Sequence, residues 1–141
     1  MSNVAVASAS PLPRWVAPLA LVFGCTCVAV LWVVLALYLG RQLGWLALLV
    51  AADAAWMLRW GGMRPGWPRA LLAVVATLLV VALVNWTIVA SQLGFMLGLA
   101  PWDSAAKLGF DHAWVLSGLA NQPRDLIATL VAPVLAAWLA R

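Results

Sequence analysis

This sequence predicts an all-α integral membrane protein with four transmembrane helices, and three observations carry the prediction. Of 141 residues, 67% are hydrophobic and 9% charged, with a mean hydropathy of +1.05; soluble domains run about 45–50% apolar and about 25% charged. The apolar residues gather in long runs, and most of the charges fall between or at the edges of them. Most of the ten tryptophans sit at the edges of those runs, where an indole keeps its ring in hydrocarbon and its N–H in water. A soluble globule, a disordered segment and a nucleic-acid module are excluded together. That apolar share cannot be hidden inside a 15.0 kDa sphere, and eight scattered Lys and Arg residues form no basic groove.

A helix needs about 20 apolar residues to cross about 30 Å of hydrocarbon. The first expected span covers about 15–39, between Arg14 and Arg41. It runs well past Cys25, beyond the core of a secretory signal, so it is expected to be a retained anchor. The second, about 43–58, is short and contains Asp53. A Gly/Pro-rich link follows, Gly61-Gly62-Met63-Arg64-Pro65-Gly66-Trp67-Pro68, and Arg59 and Arg69 bracket it. The third span covers about 70–94 and the fourth about 125–140, the latter bounded by Arg124 and Arg141. Residues 1–141 thus read as a single transmembrane domain.

Between the last two spans lies an insert, about 96–123. Asp103 and Ser104 are suited to cap a helix start after Pro101 and Trp102. Leu108, His112, Val115 and Leu119 then share one helical stripe, and Asn121-Gln122-Pro123 ends it. The expectation is a short interfacial helix in the third loop, with Trp102, His112 and Trp114 as its candidate residues. It serves either as a partner surface or as a loop resting on lipid.

Short loops rich in Lys and Arg stay on the cytoplasmic side. With four spans, Arg14, Arg59, Arg64, Arg69 and Arg141 share one side, and Arg41, Lys107 and Arg124 the other. Arg59, Arg64 and Arg69 form a cytoplasmic basic link in this reading. Both termini are then cytoplasmic, in a multi-pass protein of an inner (plasma) membrane.

Shifting the chain by 50 residues aligns the first span with the third, with nine identities over 14–44; biased composition alone gives about three. Ala54-Ala55-Trp56 before Arg59 is echoed by Ala136-Ala137-Trp138 before Arg141. Two tandem parallel hairpin repeats, as in some transporter folds, are one reading. Coincidence in a low-complexity sequence is the other.

Asp53 is the sharpest single residue. A carboxylate within a span costs at least a few kcal/mol, so it must face protein, water or a partner. It reads either as a proton or cation site or as a headgroup-level partner of Arg59 or another arginine of the link. Asn85 and Gln92, with Thr87 and Ser91, form a polar stripe on the third span, suited to hydrogen bonds across helices or to lining a path. Gly40-x-x-x-Gly44 and Gly94-x-x-x-Gly98 have the spacing that lets helices approach closely. Cys25 and Cys27, two apart on a helix, do not face each other, so no disulfide between them is expected.

No catalytic constellation can be assembled: the chain has no Glu, a single His, and neither a Ser-His-Asp set nor a phosphate-cradling glycine loop. No metal site, cofactor, enzymatic activity or nucleic-acid partner is expected. The leading expectation is an accessory or assembly subunit of a larger membrane complex, with the lipid bilayer and other membrane subunits, or further copies of itself, as partners. The alternative is a small oligomeric transporter or channel in which Asp53 couples protons or cations and Asn85 and Gln92 line the path.

Overall fold

The computed structural model describes residues 13, 15–98, 100, 103, 115, 118 and 123–141. Among them the chain is helical, without strands: α1 (Val16–Leu39), α2 (Leu46–Trp60), α3 (Trp67–Leu97) and α4 (Pro123–Ala140). Three of these helices, α1, α3 and α4, are long and apolar enough to cross a membrane.

α1 ends where the sequence supplies a residue for the left-handed region. Gly40 has φ +63° and donates its N–H to Leu37, while Arg41 N–H reaches back to Ala36. These two bonds satisfy carbonyls that the last turn would leave open. α3 closes in the same manner at Gly98, φ +66°, whose N–H bonds Gly94. Both expected GxxxG pairs are therefore corrected. Gly40 and Gly98 are helix caps and Gly44 lies in the link after α1, so neither pair forms a small-residue face on one helix.

The helices alternate in direction. Gly61, past the end of α2, lies so close to Ala17 at the start of α1 that a Cβ there would strike its backbone. Arg69 at the start of α3 reaches Ala140 at the end of α4, and Gly44 ahead of α2 bonds Asp125 in the first turn of α4. α2 and α3 each pack against all three other helices, while α1 and α4 do not pack on each other. The central α2–α3 pair thus has α1 on one side and α4 on the other.

α2 differs most from expectation. It begins at Leu46, because residues 42–45 form the link, and its 15 residues span about 22 Å at 1.5 Å per residue. That falls short of about 30 Å of hydrocarbon. α3, with 31 residues, reaches about 46 Å.

The side-chain distribution is the reverse of a water-soluble core. Among the described residues, twelve of the 23 buried apolar ones are alanine, including Ala47, Ala51, Ala54 and Ala55 on α2. Leu19, Phe23, Leu31, Leu79, Leu83, Leu130 and Val134 are exposed on the outer faces. Small residues inside let backbones approach, and large apolar ones outside are at home only in hydrocarbon.

The letters that echo along the chain do not by themselves share a buried face. Val50, Ala54 and Leu58 on α2 correspond to Ala132, Ala136 and Ala140 on α4, and all six are buried. At the 50-residue shift none of the buried residues of α1 falls on a buried position of α3. A shift of 52 places Ala17, Leu21, Cys25, Trp32 and Ala36 on Arg69, Ala73, Thr77, Val84 and Ile88, all buried. Two residues turn a helix face by about 200°, so the aligned identities point different ways.

Of the expected interfacial helix, Asp103, Val115 and Gly118 are helical and exposed. Trp102, His112 and Trp114 lie outside the described residues, as do Arg14 and Lys107.

Candidate functional site

Asp53 sits at the middle of α2 and faces α1 at Gly24. A Cβ on Gly24 would lie 2.8 Å from Asp53 Oδ2 and 2.6 Å from Met57 Cγ. Glycine at position 24 is what lets the α1 backbone close over the carboxylate. Asp53 is half-buried, yet Oδ2 is enclosed and has no hydrogen-bond partner. Arg59 is exposed; six residues further along α2, it is turned by about 600°, onto a different face. Cys25, beside Gly24, is buried and Cys27 is exposed; both are free.

Asn85 and Gln92 do not converge on this carboxylate. Asp53 lies about 10 Å along α2 from Trp60, whereas Asn85 and Gln92 lie about 27 and 37 Å along α3 from Trp67, at 1.5 Å per residue. Trp60 and Trp67 belong to the same end of the bundle, so the three are at different depths. Asn85 Nδ2 donates to Val81 O at 2.9 Å and Thr87 Oγ1 to Leu83 O at 2.8 Å. These bonds go to carbonyls of α3 itself rather than across to another helix, because the carbonyl four residues back is always within reach of a short polar side chain. Gln92 is half-buried and Ser91 buried.

The basic link divides. Arg59 and Arg64 are exposed, but Arg69 is buried. Its Nε donates to Ala140 O, and Nη1 donates to Met63 O at 3.2 Å. One guanidinium thereby ties the end of α4 and the link to the start of α3, supplying a cation where the α4 carbonyls need one. Nearby, the Arg141 guanidinium lies 5.7 Å from the centre of the Trp67 ring, within cation–π range.

The opposite end holds an arrangement that the sequence reading did not single out. Asp125 is buried in the first turn of α4, and its Oδ1 accepts the Gly44 N–H at 3.1 Å. A Cβ on Gly44 would lie 2.7 Å from Asp125 Cα and 2.8 Å from its carbonyl oxygen, so the link presses directly on the helix start. Beside this contact is a cleft of about 250 Å³ lined by Arg41, Gln42, Leu43, Trp45, Arg124 and Asp125. Gln42 is only 8% exposed, and neither atom of its amide has a hydrogen-bond partner. The sole signal in the sequence was a cluster of polar residues at two span edges, 83 positions apart from Gln42 to Asp125, with nothing to show that they meet.

Among the described residues no three His, Cys, Asp or Glu side chains come together as a metal site would require. No protein-family model matches the chain, and no curated protein or solved structure matches it.

Proposed function

We propose that this chain is a small multi-pass subunit of an inner (plasma) membrane that acts by holding other membrane helices, as an accessory or assembly component of a larger complex. The observation that carries the reading is the Asp53 carboxylate. It lies midway along α2, at the seam with α1, in a bundle whose outer faces are apolar, and Oδ2 has no donor. A carboxylate at membrane depth costs at least a few kcal/mol and is ordinarily matched by a partner. Asp53 as a whole is only half-buried, so a donor from a neighbouring membrane helix can supply that match from the side that α1 leaves open. The alanine-rich interior, with large apolar side chains on the outer faces, fits the same role.

α2 is the fourth membrane-embedded helix in this proposal. It is shielded from lipid on the faces that meet α1, α3 and α4, so its length need not match the bilayer as a lipid-facing helix must. Orientation rests on charge. Arg59, Arg64, Arg69 and Arg141 lie at one end and Arg41 and Arg124 at the other, and in this proposal the arginine-richer end, with both termini, faces the cytoplasm.

Purification in mild detergent after crosslinking tests this. The expected result is a defined larger species, recovered in reduced yield from Asp53→Leu cells. A native chain that is a stable solitary monomer overturns the proposal. The alternative, a small oligomeric transporter or channel coupled through Asp53, requires reconstituted proton or cation flux that Asp53→Asn abolishes.

A further inference from the structure

The cleft between the α1–α2 link and the first turn of α4 gathers two arginines, a carboxylate and a buried amide. Two arginines, Arg41 and Arg124, line it from different elements, and both residues are exposed. The first turn of α4, at the positive end of its dipole, borders the cleft through Arg124 and Asp125. Both features favour an oxyanion, and the planar guanidinium fork matches phosphate in particular.

Gln42 sharpens the choice. Its amide is more than nine-tenths buried and lines the cleft, with neither Nε2 nor Oε1 partnered. Exchanging the two atoms by an amide flip changes nothing, since both are open. A buried polar group left unpaired is costly, and a ligand that satisfies both atoms must offer an acceptor and a donor together. Asp125, in the same wall, adds a carboxylate whose Oδ1 accepts the Gly44 N–H. The donor side of the ligand is therefore favoured if it is cationic.

We propose that this cleft binds a phosphate ester carrying a primary ammonium group, the chemistry of a phosphoethanolamine headgroup. The phosphate lies between Arg41 and Arg124, and a small turn of the enclosed Gln42 side chain toward the cleft brings Nε2 to it as a donor and Oε1 to the ammonium, beside Asp125. A trimethylated ammonium has the same charge and no N–H, so it leaves Oε1 unpaired. The cleft lies at the end of the bundle where α1 gives way to α2. Only its placement at headgroup depth rests on the membrane-spanning reading.

The test is competition on the full chain in a neutral detergent, followed by native mass spectrometry with dioctanoyl phosphatidylethanolamine and dioctanoyl phosphatidylcholine. About tenfold preferential retention of the ethanolamine lipid is expected, the effect of one buried acceptor satisfied or not. Gln42→Leu removes both open atoms and is expected to melt no lower than the native chain while losing the preference. Arg124→Gln, at an exposed position, is expected to weaken retention of both lipids. Equal retention of the two lipids by the native chain, or a preference that survives Gln42→Leu, overturns the site. Soluble O-phosphoethanolamine distinguishes the source. If it displaces the lipid at matched concentration the ligand is a free phosphate ester, and if only the diacyl form binds it is a bilayer headgroup. A chain that remained dispersed without detergent would overturn the membrane reading, while O-phosphoethanolamine binding would still test the cleft.

Discussion

The two ends of the bundle solve the same problem, how to finish four helices, with different chemistry. At the end where α2 passes into α3, Trp15, Trp56, Trp60, Trp67 and Trp138 are all exposed. Arg59 and Arg64 are exposed beside them, and Trp56 and Trp60 meet edge-on at 6.2 Å. The one buried charge among the described residues there, Arg69, has acceptors in Ala140 and Met63. At the other end a single exposed tryptophan among the described residues, Trp45, stands beside Arg41 and Arg124. Between them the Gln42 amide is buried and unmatched. The first end is an anchor whose polar groups are satisfied or wet; the second keeps hydrogen-bonding capacity in reserve. Completeness of pairing, more than net charge, separates an end that only holds from one that can bind.

The largest expected effects concern the two glycines that seal these ends. Gly61→Val and Gly44→Val each drive a side chain into backbone, of Ala17 and of Asp125 respectively. Each is expected to cost about 3 kcal/mol or more, read as loss of a monodisperse helical species in detergent. A marked difference between them would show that one end bears more of the fold than the other.

Arg69→Gln comes next. It removes charge-assisted bonds to two carbonyls and is expected to destabilise by about 2–3 kcal/mol in thermal unfolding. Arg59→Gln, fully at the surface, should stay within about 0.5 kcal/mol. Equal effects would break the distinction between a clamp and an exposed charge within the same link.

Asp125→Ala should cost about 1–2 kcal/mol by leaving the Gly44 N–H unpaired, whereas Asp125→Asn, which keeps an acceptor, should cost less. The smallest change is expected for Gln42→Leu. It deletes an unsatisfied amide and should leave the melting temperature unchanged or raise the stability by up to about 1 kcal/mol. A loss of stability there would mean that Gln42 supports the fold.

Helix content, the presence of helices long and apolar enough to cross a membrane, and their rough positions are legible in the sequence, because they depend on composition and on where apolar runs stop. The expected end of the first span at 39 agrees with α1, whose last residue is Leu39, because Gly40 follows it with a backbone only glycine adopts easily. The start of α2 was placed three residues early, at 43. Leu43 is apolar and buried like a helix residue, but the bond from Gly44 to Asp125 holds that stretch as a link. Asp53 stood out because a charge in an apolar run is a local anomaly. Its neighbour Gly24, its distance from Arg59 and its separation in depth from Asn85 and Gln92 depend on how α1, α2 and α3 are laid together.

The identity echo between the first and third spans shows the limit most plainly. Matching letters at a 50-residue shift say nothing about which way each letter faces, and a two-residue offset in the buried stripe turns the matched face away. Hydropathy is a property of each residue and sums along the chain, so the kind of solvent this protein requires can be read without coordinates. Which polar groups find partners is a property of pairs far apart in sequence. Gln42 near Asp125, Gly24 over Asp53 and Arg69 at Ala140 are such pairs, and the helices had to be packed before any of them existed.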